Sequence, residues 1–171
     1  PLCDRTVFAI EDYTGMATRR ARYTQTVATR GSDHPDAQSP LGRLLPGGRR
    51  TRPVDHVVEE MTMLRDRFGI REFHFEDDGL FEDPDYVMDL CRLIRSELPG
   101  VVWQCPNGNR PGDLHVEMLE GLAAAGCYRI YLQLDSPDAE AMRLLKRCWD
   151  PAAIGPLTEA AHRVGIELGG Y

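Results

Sequence analysis

Hydrophobic and polar positions become regular after residue 53. Val54, Val57, Val58, Met61, Leu64 and Phe68 recur at helical spacing and stop at Gly69, so VDHVVEEMTMLRDRFG predicts an amphipathic helix. IREFHFEDD then sets Phe73 and Phe75 against Glu72, His74 and Glu76, which is strand periodicity. In DPDYVMDLCRLIRSELPG, Asp83 and Pro84 read as N-cap and first turn, and Val87, Leu90, Cys91, Ile94 and Leu98 form the apolar stripe. VVWQC reads as a strand, Asp113 as the cap of a helix over LHVEMLEGLAAAG, and YRIYLQLDS as an alternating strand. Ser136 before Pro137 and Asp150 before Pro151 open two further helices. The last of these stops at Gly165, before IELGGY.

One join repeats: a helix, a glycine, then a β-rich run, in FGIREF, LPGVVW, AGCYRI and VGIELG. Glycine supplies the left-handed conformation that ends a helix and turns the chain back. Strands expected near 26–30, 71–77, 101–105, 128–135 and 166–171 therefore alternate with helices, which means βα units and a parallel sheet. The fold class is α/β, an incomplete (β/α) barrel of about five parallel strands. Residues 1–25 form an irregular lead-in and 26–171 the core domain.

Parallel strands covered on both faces are almost continuously apolar. Here Tyr128, Ile130, Leu132 and Leu134 alternate with Arg129, Tyr131, Gln133 and Asp135. One face packs on helices; the other is either a ligand-receiving interior or a solvated sheet face.

Composition narrows the function classes. The 171 residues are 42% hydrophobic, enough for one buried domain, with net charge −7 and pI near 5.2. An acidic chain argues against nucleic acid and anionic membrane as partners. No apolar run approaches the roughly 20 residues that span a bilayer, and PLCDRTVFAIEDYTG lacks the regions of a signal peptide. Cys3, Cys91, Cys105, Cys127 and Cys148 are scattered and include no CxxC, as suits buried thiols in a cytoplasmic protein. The chain opens on Pro1 rather than Met, which reads as a fragment or a processed chain.

In such folds, reactive groups sit at the carboxyl ends of the strands. Those ends read GSDHPDAQS, EDDGLFED with Asp77 and Asp78, QCPNGNR with Arg110, and QLDSPD with Gln133, Asp135 and Ser136. Carboxylates and amides together suit a small molecule bearing hydroxyl and amine groups. Each also has a plain reading. Asp77–Asp78 form a solvated turn, His74 is an interior histidine, Arg110 is a surface charge and Ser136 is a helix cap.

The order of GGRRTRPVDHVVEEMTMLRDRFGIREFHFEDDGLF, WQCPNGNR, LAAAGCYRIYLQLDSPDAEAMRLLK and HRVGIELGGY resembles the radical SAM superfamily, in particular the branch often joined to a cobalamin-binding domain. The resemblance runs from about Thr29 to Tyr171. It implies a partial (β/α) barrel, S-adenosylmethionine (SAM) across the strand tops, and reductive SAM cleavage serving methyl transfer or ring formation on a natural product or tetrapyrrole. In that family the loop after the first strand holds three cysteines, spaced by three and then two residues, that bind a [4Fe–4S] cluster. At the matching positions stand Ser32, Asp36 and Ser39, so the spacing persists without a thiolate, and Gln38 replaces a usually aromatic neighbour. Fe–S clusters are held by cysteine thiolates, so the cluster typical of the family is not expected here.

The resemblance further implies SAM contacts at Asp77 and Asp78 (amino group), at Gln133, Asp135 and Ser136 (ribose) and at Lys146 (carboxylate). The fourth-strand segment departs from the more usual Gly-x-Glu-Ser. Cobalamin would enter only through a separate domain. An unclosed barrel leaves a strand edge that a second copy or a different chain would cover. Three functional readings stand: a SAM-dependent enzyme; a non-catalytic ligand-binding or partner module; and a hard-metal site of Asp33, His34 and Asp36 taking Mg²⁺, Mn²⁺ or Fe²⁺.

Overall fold

A computed structural model describes residues 4–7, 9–12, 14–15, 18–34, 48–146 and 149–171, with Glu11 and Ala139 known by backbone alone. Asp36 and Ser39 lie outside the described residues, as do Cys3 and Cys148.

The strands are β1 (Tyr23–Thr26), β2 (Thr29–Arg30), β3 (Arg50–Thr51), β4 (Glu72–Phe75), β5 (Val102–Asn109), β6 (Cys127–Leu132) and β7 (Glu167–Gly170). Among the described residues the α-helices are α1 (Val54–Phe68), α2 (Pro84–Glu97), α3 (Leu119–Ala124), α4 (Ala139–Leu144) and α5 (Ile154–Val164). Among the described residues, β1, β4, β5, β6 and β7 form one parallel sheet in that order, open rather than closed into a barrel. β2 and β3 pair separately and antiparallel, with Thr29 opposite Thr51 and Arg30 opposite Arg50.

The expected glycine joins hold. Gly69, Gly100, Gly126 and Gly165 all have φ between 68° and 90°, and Gly69 and Gly165 cap α1 and α5 in the left-handed conformation. At Gly126 the requirement is also spatial, since a Cβ there would sit 2.3 Å from the Val101 carbonyl oxygen.

The core lies between the helices and one face of the sheet. Val57, Met61, Leu64, Phe73, Leu90, Ile94, Trp103, Leu122 and Ile130 are fully buried in it. At roughly 1.5–3 kcal/mol per large apolar side chain, this face dominates the stability. Glu60 of α1 is buried as well; Arg5 at 2.8 Å and Arg52 at 2.7 Å neutralise it.

Several expected elements shift. The first strand ends at Thr26 instead of running over 26–30, because Thr29 and Arg30 leave the parallel sheet to pair with β3. Asp113 caps no α-helix: it belongs to a 3-10 turn, Pro111–Asp113, and a second turn, Val116–Met118, precedes the short α3. The cap of α4 is Asp138, which accepts the N–H of Ala141 at 2.7 Å, while Ser136 accepts the N–H of Asp138 at 3.1 Å. Tyr128 does not face the helices. Cys127 pairs with Trp103 and Arg129 with Gln104, so Tyr128 is the extra residue of a bulge that turns it to the polar face.

Among the described residues, no helix is long and apolar enough to cross a membrane.

Candidate functional site

Three acids in the segment after β4 fasten the loop that follows β1. Leu80 and Phe81 are buried in a 3-10 turn, Leu80–Glu82, and this apolar footing sends the flanking carboxylates back towards β1. Asp77 accepts the N–H of Ala28 at 3.1 Å and the hydroxyl of Thr29 at 2.7 Å, together with the Thr29 N–H. Asp78 accepts the N–H of Gly31 at 3.1 Å. Glu82 accepts the Ser32 hydroxyl and, at 3.1 Å, the N–H of Asp33. Burial pushes Asp77 up to about 6, against the opposing pull of its hydrogen bonds from Thr29 and Ala28.

The end of β5 joins the same cluster. Arg110 reaches Glu82 at 2.9 Å, and Asp113, in the next turn, meets Nε2 of His34 at 3.1 Å. Burial raises the Asp113 carboxyl, while His34 and Arg110 pull it down. Ligand-type atoms of His34, Glu82 and Asp113 lie within 4.8 Å of one another. Beside them opens a cavity of about 410 Å³ lined by Asp33, His34, Arg49, Glu82, Asp83 and Pro84. Asp33 is turned to the backbone, accepting the N–H of Arg49 at 2.9 Å.

The fourth strand end forms a group of its own. Gln133 donates to Asp135 at 3.4 Å, and its backbone N–H reaches the Asn109 carbonyl at 2.8 Å. Asp135 and Lys146 both have φ 56°, the only positive values among described non-glycine residues. Both are exposed, and Ser136 is half-buried.

The polar face of the sheet is occupied at its amino-terminal half by the chain itself. Glu72, fully buried, accepts from the Tyr128 hydroxyl at 2.7 Å and the Arg20 N–H at 2.6 Å, and lies 2.9 Å from Nε2 of His74. Gln104 touches His74 at 2.8 Å, and Tyr23 stacks on its ring. Arg19 covers the Tyr128 ring and, with Arg129, pairs with Glu167. His74 is thus an interior histidine within a hydrogen-bonded network.

Sequence reasoning missed Glu82 and misread Asp113. Nothing in PGDLH separates a helix cap from a residue that meets a distant histidine. The described cysteines, Cys91, Cys105 and Cys127, are buried and free. Burial pushes the Cys91 thiol up to about 12 and the other two well above the ordinary range.

No family model matches the chain. It is 29% identical over 123 residues to a cytidylyl-2-hydroxyethylphosphonate methyltransferase of Streptomyces wedmorensis, covering 71% of this chain and 23% of that protein. It superposes with TM-score 0.78 on TsrM of Kitasatospora setae, a radical S-adenosylmethionine methyltransferase solved with cobalamin and a [4Fe–4S] cluster bound; the match covers 87% of this chain and 30% of TsrM at 18% identity. It matches the cobalamin-dependent S-adenosylmethionine radical enzyme OxsB with TM-score 0.64, over 85% of this chain and 23% of OxsB at 14% identity. The fold is therefore that of the radical SAM core, and the chain spans less than a third of each of these proteins.

Proposed function

We propose that this chain is a SAM-binding core of the radical SAM methyltransferase type that holds SAM without building a [4Fe–4S] cluster. The methyltransferase relative and the fold support the SAM reading. The donor set carries the second half. The Ser32 hydroxyl is engaged as a donor to Glu82. The described cysteines face the core as neutral thiols. Alcohols and carboxylates do not replace the three thiolates that hold such a cluster.

Asp78, Gln133, Asp135 and Ser136 offer acceptors for the ammonium group and ribose hydroxyls of SAM, while Lys146 and Arg110 offer cations for its carboxylate. Asp77 serves through the loop: it fixes Ala28 and Thr29, and so the start of the segment from which SAM would be approached. Bound SAM supplies an electrophilic methyl group on a sulfonium, open to polar transfer. Cobalamin, if the whole protein uses it, belongs to a separate domain.

Calorimetric titration of the iron-free chain with SAM tests this. Saturable binding that weakens in Gln133→Ala and Asp78→Asn is expected. Binding that begins only after iron and sulfide are supplied would contradict it.

A further inference from the structure

We propose that His34, Glu82 and Asp113 hold one divalent first-row cation of the Mn²⁺ or Fe²⁺ class at the carboxyl ends of β1, β4 and β5. The three come from separate segments: the loop after β1 and the 3-10 turns that follow β4 and β5. Only the fold brings them together. This ligand set differs from the Asp33–His34–Asp36 grouping in the loop, since Asp33 is engaged with the Arg49 backbone.

The geometry suits a metal shell. Metal–ligand bonds of about 2.1 Å place neighbouring ligands about 3 Å apart and opposite ligands about 4.2 Å apart. His34 Nε2 and Asp113 Oδ1 are separated by 3.1 Å, and the full set lies within 4.8 Å, so only a small inward shift accompanies loading. An ionised carboxylate offers about four lone-pair sites. Glu82 uses three of them, for Ser32, Asp33 and Arg110, which leaves one for a cation and fixes the carboxylate's direction. One imidazole nitrogen with two carboxylates favours Mn²⁺ or Fe²⁺ over the all-oxygen shells of Ca²⁺ and Mg²⁺. The adjoining cavity of about 410 Å³ leaves room for waters or a ligand oxygen to complete the coordination.

The test uses the full chain stripped with EDTA and titrated with MnCl₂ alone, followed by electron paramagnetic resonance. One saturable site with a histidine nitrogen coupled to the manganese is expected. His34→Gln removes that coupling, and His34→Gln and Asp113→Asn each weaken binding roughly tenfold or more. His162→Gln, an exposed histidine on α5, changes neither. Far-UV circular dichroism confirms that each variant is folded. The nitrogen coupling in the unmodified chain stands as evidence apart from any variant. Absence of saturable binding at millimolar Mn²⁺, binding without nitrogen coupling, or binding indifferent to both ligand substitutions would leave an ordinary ion-pair cluster and overturn the proposal. Neither SAM nor sulfide is present, so this outcome is separate from that of the SAM reading.

Discussion

Glu82 receives both the hydroxyl of Ser32 and, at 3.1 Å, the backbone N–H of Asp33, so one carboxylate from the β4 end closes on the loop after β1. The same carboxylate holds Arg110 at 2.9 Å, with both side chains largely buried. Glu82→Ala therefore removes at once the acceptor shared by the Arg110 guanidinium, the Ser32 hydroxyl and the Asp33 N–H. A loss of about 2–4 kcal/mol in urea denaturation is expected, with faster amide exchange at Asp33. Unchanged exchange would mean that the loop is held by something else.

Asp77 makes stability fall as pH rises. Its carboxyl is raised from 3.8 in the unfolded chain to about 6 in the folded one, chiefly by burial. The folded state thus binds the extra proton between those values; the stabilisation is complete below about pH 4 and is lost through pH 6. The difference is on the order of 3 kcal/mol. Asp77→Asn keeps an oxygen for Ala28 and Thr29 but cannot ionise. The gap in stability between the parent chain and this variant should shift by that amount between pH 4 and pH 7. Parallel pH curves would refute it.

The buried Glu60 predicts an asymmetry between deleting a partner and deleting the acid. Its side chain is 1% exposed, whereas Arg5 and Arg52 are 25% and 32% exposed. Arg52→Met leaves the buried anion with one partner and should cost about 2–4 kcal/mol. Glu60→Met frees two arginines that reach water and should cost much less. Thermal melts of the two variants decide the order.

Gly126 and Gly165 share a left-handed backbone but differ in surroundings. Nothing lies within 4 Å of a Cβ at Gly165, whereas one at Gly126 meets the Val101 carbonyl at 2.3 Å. Gly165→Ala should cost roughly 1–2 kcal/mol, the backbone penalty alone. Gly126→Ala should cost more, because β5 must move. Equal losses in denaturant midpoint would contradict the packing at this join.

The helices and their glycine stops were legible because apolar spacing and left-handed caps are local properties. Tyr128 was not, since a bulge is defined against the partner strand and reverses the face that alternation assigns. Nor was the end of β1: Thr29 and Arg30 carry strand-like sequence but find β3 rather than β4. The strand-end acids were visible in EDDGLFED, yet their common task of binding the preceding loop depends on contacts nearly fifty residues apart. His34 stood out as chemistry, and its partners Glu82 and Asp113 emerged only from tertiary structure.

The most direct measurement is anaerobic reconstitution of the unaltered chain with iron and sulfide, followed by iron and acid-labile sulfide analysis, with Ser32→Cys/Asp36→Cys/Ser39→Cys treated in parallel. No retained sulfide is expected in the unaltered chain, and the visible absorption of a cluster only in the triple variant. A full cluster's complement of iron and sulfide on the unaltered chain would contradict it.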